Sequence, residues 1–216
     1  MKQIISINGN IGAGKTTLME RLRDLRDIET GKPLFDWIPE PIEEWTPWLN
    51  LFYADKNRYA FSFQMRVLLH QMERYEDVVQ RWNQGTICDN VLFERDPIVS
   101  HHVFAQSLHE EGDIHPLEMD VYREFYRRKF HWIPHHAIYL QVNPTNCMSR
   151  MIERARGNEL GGVTIDYLEA LHEKHERIFV KECMYDKVSV INANQPRDNV
   201  FADLCSALQI PLSNTK

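Results

Sequence analysis

Four groups of residues have types and spacing that could do chemistry. The first, Gly9-Asn10-Ile11-Gly12-Ala13-Gly14-Lys15-Thr16, fits G-x-x-x-x-G-K-[ST] at every fixed position. Such a loop turns backbone N–H groups toward a phosphate, and the helix that follows adds partial positive charge. Lys15 can then reach the outer phosphates, and the Thr16 hydroxyl suits Mg²⁺. The second is Glu40, a carboxylate between Pro39 and Pro41. Flanking prolines keep it out of a helix interior, so it stands on stiffened backbone at a strand end, as a ligand-binding acid or an exposed loop acid. The third is Glu94-Arg95-Asp96-Pro97, three charges where a strand meets its loop. A function there competes with ordinary charges at a helix start. The fourth is Arg150, Arg154 and Arg156, followed by Gly157, Gly161 and Gly162. Positions 150 and 154 are helical neighbours, and arginines ahead of a glycine-rich stretch suit either a lid closing over phosphates or a solvated helix end.

Elements that could position these groups are readable from apolar spacing. Residues 3–7 predict a short buried strand and residues 17–22 the start of a helix. A second strand is expected at 34–38, running into the Pro-Glu-Pro segment. Helical spacing covers 56–82, with Gln64 and Gln71 about two turns apart on one side among apolar residues. Either glutamine could read a nucleobase edge or simply mark the border of an amphipathic face. Strands follow at 86–93, 137–142 and 188–191. Between them lie two helices broken near Gly112, the arginine-bearing helix, and a long helix at 165–185. A closing helix covers 199–208. The alternation predicts an α/β fold, a parallel sheet flanked by helices on both faces. It reads as one domain over 1–216, with a short arginine-rich lid at about 150–162. Ligands of such sheets bind at the carboxyl ends of the strands. The histidines at 131, 135 and 136 do not form a metal motif, because Pro134 keeps His131 and His135 off a common helical face.

Composition narrows the partners. The chain has 216 residues, 43% of them hydrophobic, and a net charge of −6 with no basic run to offset it. That argues against a nucleic-acid polymer and leaves a small anionic ligand held locally by Arg and Lys. Cys88, Cys147, Cys183 and Cys205 form no C-x-x-C pair, which suits reduced intracellular thiols. With no membrane-length apolar run and no signal peptide ahead of Lys2, the expectation is a soluble protein of the cytoplasm, the nucleus being the alternative.

The phosphate loop alone does not separate kinases from other nucleotide-binding proteins. D-x-x-G and N-K-x-D, which a switch GTPase carries, are absent. A small kinase remains, since Glu40 and an arginine lid are suitable parts for phosphoryl transfer. Two alternatives stay open: a nucleoside monophosphate kinase of the thymidylate type, and a nucleotide-binding regulator without transfer activity.

The segments also resemble a known family when taken together. They are Gly9 to Thr17, Glu40-Pro41 with Trp45, Tyr53 ahead of Phe63-Gln64, and Glu94-Arg95-Asp96-Pro97-Ile98. Arg154-x-Arg156-x-x-Glu159 and Tyr167-Leu168-Glu169-Ala170-Leu171-His172 complete the set. Their order and spacing resemble the deoxynucleoside kinases, including the herpesvirus-type thymidine kinases, over nearly the whole chain. The resemblance implies an α/β P-loop kinase fold and ATP-dependent phosphorylation of a deoxynucleoside 5′-hydroxyl. Glu40 would accept the hydroxyl proton and Arg95 would hold Glu40 and the hydroxyl in register. Lys15 and the loop through Thr17 would bind the ATP phosphates, with Thr16 and Glu94 around Mg²⁺. Arg150, Arg154 and Arg156 would clamp the donor. Tyr53 and Glu159 would bond the sugar 3′-hydroxyl, Gln64 would pair with the base edge, and Trp45, Phe63 and Phe104 would surround the ring. Deoxycytidine and purine kinases carry an Arg and an Asp where Gln71 and Ser100 stand here, so the uncharged pair leans toward thymidine or pyrimidines. Asp96 departs from the family's usual Ser or His and receives no role. The family also implies a homodimer.

Overall fold

The run at 3–7 is the centre of a strand, β1 (Gln3–Gly9), buried along almost its whole length. A computed structural model gives the architecture and describes residues 2–130, 132–154, 162–182 and 184–210. Successive side chains of a strand point to opposite faces. Ile5 and Ile7 accordingly join one core with Leu18, Leu22 and Leu92, while Ile4 joins Ile38, Val91, Phe93 and Val78 on the other side. A strand apolar on both faces needs helices on both faces, the situation of a parallel sheet.

β1 lies at the middle of five strands in the order β2-β3-β1-β4-β5. The others are β2 (Asp36–Ile38), β3 (Asn90–Glu94), β4 (His136–Gln141) and β5 (Val188–Asn192), and every pairing is parallel. Register decides what meets at the sheet edge. Ile7 pairs with Glu94 and Ile38 with Phe93, so β1, β3 and β2 all end on one side. The loop after β1, the Glu94-Arg95 pair, and Glu40 two residues beyond β2 therefore converge.

The helices are α1 (Lys15–Arg23), α2 (Ile42–Ala54), α3 (Lys56–Gln84), α4 (97–110), α5 (Pro116–Lys129), α6 (Pro144–Arg154), α7 (165–181) and α8 (Arg197–Ala207). The α3 start is capped by the Asp55 carboxylate, which accepts from the Arg58 N–H. Trp45 and Phe52 of α2, Phe63 and Leu68 of α3, Leu108 of α4, and Met119 and Tyr122 of α5 form a second apolar cluster beside the sheet. Among the described residues no helix is long and apolar enough to cross a membrane.

Three of the boundaries that differ from the sequence expectation have a local cause. Gly85, at φ +67°, ends α3, and the Thr86 N–H turns back to the Arg81 carbonyl. The apolar run from 86 thus begins as a turn, and the strand starts only at Asn90. β2 is shorter than 34–38 because the Leu34 N–H bonds the Leu25 carbonyl outside the sheet. The long helix at 165–185 ends at Lys181, its last turn wound as a π-helix (Arg177–Lys181). A second π-helical turn, Ser100–Ala105, interrupts α4. Spacing at the helical period cannot reveal such turns, which recur at functional sites.

Candidate active site

The donor half is built by the β1–α1 connection. Gly14 precedes α1 in the left-handed region (φ +93°), and no side chain caps the helix. The first N–H groups of α1 therefore face the cavity rather than a capping oxygen. A Cβ built on Gly14 would have as its nearest neighbour the Arg150 guanidinium, 4.0 Å away, so loop and arginine face each other across open space. Gly12, at φ +78°, lies so close to the Cys147 carbonyl that a Cβ there would collide with it. Asn10 is buried and bonds inward to the Leu168 carbonyl at 2.8 Å. Lys15 Nζ donates to the carbonyls of Gly9 and Asn10 at 3.2 and 3.1 Å. Burial, then the Arg95 charge, lowers its pKa to about 8. Arg150 Nη2 donates to the Ala193 carbonyl at 2.8 Å and Nη1 to the Ala13 carbonyl at 3.3 Å. Arg154, one turn along α6, lines the same space.

Thr16 Oγ1 donates to Glu94 Oε1 at 2.7 Å. Burial and the neighbouring Glu40 raise the Glu94 pKa. A hydroxyl and a carboxylate beside a phosphate cradle are hard oxygen donors of the sort Mg²⁺ accepts when it keeps waters and phosphate oxygens as its other ligands. The donor set fits Mg²⁺, and the cradle fits a polyphosphate.

The acceptor half begins where Arg95 Nε stands 2.7 Å from Glu40 Oε1, with only 11% and 8% of the two side chains exposed. The N–H does not point along that line, so the contact is an ion pair without a well-formed hydrogen bond. Arg95 has φ +56°, a conformation unusual for a side chain of this size. Its N–H continues the ladder to the Ile7 carbonyl at 3.1 Å. Its guanidinium carbon lies 3.9 Å from the centre of the Phe104 ring. Asp96, to which the sequence reading gave no role, holds this bend from the other side. Its Oδ1 accepts from the N–H groups of Ile98 and Val99, and Asn8 and Tyr185 donate to the same carboxylate.

From this pair a cavity of about 620 Å³ runs to the phosphate loop, with both halves in one continuous space. Trp45, Tyr53, Phe63, Gln64, Ser100 and Phe104 line its acceptor end. Trp45 meets the Phe63 ring edge-on at 6.2 Å. Its indole N–H donates to Nδ1 of the buried His70 at 2.6 Å, a support that sequence spacing did not reveal. Gln64 Oε1 is buried with no hydrogen bond among the described residues. Gln71 stands behind the lining, where its amide reaches Ser100 Oγ at 3.3 Å and the Arg95 carbonyl at 3.4 Å. Tyr167 and Val67 complete the wall, and Gly162 packs so tightly on Tyr53 that a Cβ there would overlap the ring. Arg156 and Glu159 lie outside the described residues.

A parallel sheet whose carboxyl edge carries a phosphate loop beside a second, aromatic-walled pocket defines a kinase of the P-loop fold. Comparison with known proteins makes this narrower. A family model described as deoxynucleoside kinase matches residues 5–209. A probable deoxycytidine kinase of Fowlpox virus is 34% identical over 97% of this chain and 85% of its own. Mitochondrial thymidine kinase 2 of Homo sapiens is 27% identical over 85% of this chain and 67% of its own. In fold, the chain is similar to the deoxyadenosine kinase of M. mycoides, solved with dCMP and dCDP. The TM-score is 0.80 at 23% identity, covering 95% of this chain and 98% of that one. The chain belongs to the deoxynucleoside kinase family.

Proposed function

We propose that the protein transfers the terminal phosphoryl group of ATP to the 5′-hydroxyl of a deoxyribonucleoside, with Glu40 as general base. One observation carries this reading. The Glu40–Arg95 pair opens into the same cavity as the phosphate loop, so an acceptor hydroxyl and a donor phosphate can meet there. Glu40 takes the hydroxyl proton, and Arg95 holds the carboxylate and hydroxyl in register. Lys15, the loop amides and the α1 N-terminus bind the donor phosphates, and Arg150 and Arg154 neutralise charge from the opposite side. Thr16 and Glu94 would hold Mg²⁺, which supplies further neutralisation of the phosphates when bound. Nucleotides bound to the M. mycoides enzyme, dATP and dCTP among them, agree with a nucleoside triphosphate donor.

For the acceptor, Tyr53 and Glu159 are assigned to the sugar 3′-hydroxyl, and Gln64 Oε1 to the base edge. Trp45, Phe63 and Phe104 surround the ring, which buries apolar surface while leaving the polar edge a partner. Ser100, backed by Gln71, presents no charge to the base, which favours thymidine and other pyrimidines. Steady-state kinetics with thymidine, deoxycytidine, deoxyadenosine and deoxyguanosine, each with ATP and Mg²⁺, test this. A higher kcat/KM for the pyrimidines is expected, and a purine preference would overturn that part. Product from thymidine monophosphate but not thymidine would point to the thymidylate-type alternative.

A further inference from the structure

Resting on Glu40 as the base, we infer that Arg74 of α3 is a positioning residue for the transfer. It ties the ends of β2 and β3 together and so sets the place of Glu40 relative to Glu94 and Arg95. Its Nη2 donates to the Ile38 carbonyl at 2.6 Å and to the Glu94 carbonyl at 3.0 Å. Those are the last residues of their strands, and the β2–β3 register stops at Ile38 and Phe93. Beyond that pair no ladder bond joins the two strands, and one guanidinium nitrogen does so instead.

The cost of this arrangement shows that it is specific. Arg74 Nε and Nη1 are buried and make no hydrogen bond among the described residues. A buried cation is expensive unless opposite charge compensates it. Glu40 and Glu94 supply that charge, while Arg95 opposes it. The Phe93 ring also lies 5.1 Å from the guanidinium carbon. Burial lowers the pKa to about 10, which leaves the group cationic at neutral pH. A lysine would bring one compact ammonium in place of a planar fork, so it is a partial substitute only. The prolines on either side of Glu40 make the link stiff: a shift at Ile38 passes to the carboxylate two residues on with little damping. On the β3 side, the residue after the anchored carbonyl is Arg95, already held at φ +56°.

The test is a double-mutant cycle on the full chain, with kcat and both KM values measured for Arg74→Gln, Arg74→Lys, Glu40→Gln and the pairs. Arg74→Gln is expected to lower kcat about 10- to 100-fold through misplacement, with KM for ATP nearly unchanged and partial recovery in Arg74→Lys. In the Glu40→Gln background it should cost less than about threefold, since residues acting as a unit are not additive. A kcat within about threefold of wild type for Arg74→Gln, or losses that multiply in full with Glu40→Gln, would overturn the inference. Should Arg74→Gln melt below the assay temperature, the same cycle run below its melting temperature decides by the same criteria. Near-normal turnover of Glu40→Gln by itself sinks the base assignment instead, so the two failures are distinguishable.

Discussion

Glu40 and Arg95, the proposed base and its partner, meet in a contact of 2.7 Å. Replacing Glu40 by Gln keeps shape and removes the proposed base, so kcat should fall by about 10²- to 10⁴-fold while ATP binding persists; titration with a fluorescent ATP analogue separates the two. Asp96 acts on the same bend from outside the cavity lining. Asp96→Ala removes the acceptor for two helix N–H groups, and loss of such a cap costs about 0.5–2 kcal/mol, readable by urea denaturation. Asp96→Asn retains one acceptor oxygen and should cost less. At this scale the sequence was uneven in what it disclosed. Lys15, Thr16, Glu40 and Glu94-Arg95 were legible because motif and proline context mark them. Arg74, His70 and Tyr185 were not, since their partners lie on other elements and a buried cation or imidazole leaves no local pattern.

At the scale of elements, the phosphate loop works because its backbone passes where a side chain cannot. At Gly12 a Cβ would meet the carbonyl of Cys147 on α6, and φ +78° is itself unfavourable. Gly12→Ala should therefore lose about 1–3 kcal/mol to backbone strain alone, and more if the collision moves α6. Nucleotide affinity should fall with it, checked by calorimetry on the folded variant. The alternating order of strands and helices was legible from period and punctuation, and the parallel sheet confirms it. The starts of β2 and β3 were misplaced because apolar residues at 34–35 and 86–88 pack or turn without joining the ladder. The π-turns escaped because their winding is set by packing: Ser100 and Phe104 both reach the cavity from one such turn.

For the whole molecule, buried imidazoles govern acid stability. His175 is fully buried beside the stacked rings of Tyr139 and Phe179, and burial lowers its pKa to about 3. His101 and His136 are lowered to about 3 and about 4, again chiefly by burial. Their unfolded value is near 6.5, so between that pH and the folded values the unfolded chain binds more protons. Stability is present above about pH 6.5 and lost as pH falls, by about 2 kcal/mol at pH 5 for a fully buried ring. Asp96, raised by burial, works in the opposite sense over the carboxylate range. The urea midpoint should drop between pH 7 and pH 5, and His175→Gln should flatten that slope.

The contact between Gly162 and Tyr53 reaches further than its size suggests. Tyr53 lines the acceptor end of the cavity, and Gly162, just ahead of α7 in sequence, packs against its ring. That ring lines the one space that donor and acceptor would share, which makes it a place where their binding free energies interact. Linkage is reciprocal: whatever factor the nucleoside applies to ATP affinity, ATP must return to the nucleoside. Two dissociation constants for each ligand, alone and beside an unreactive partner, measure that factor. In Gly162→Ala it should shrink toward one in both directions at once.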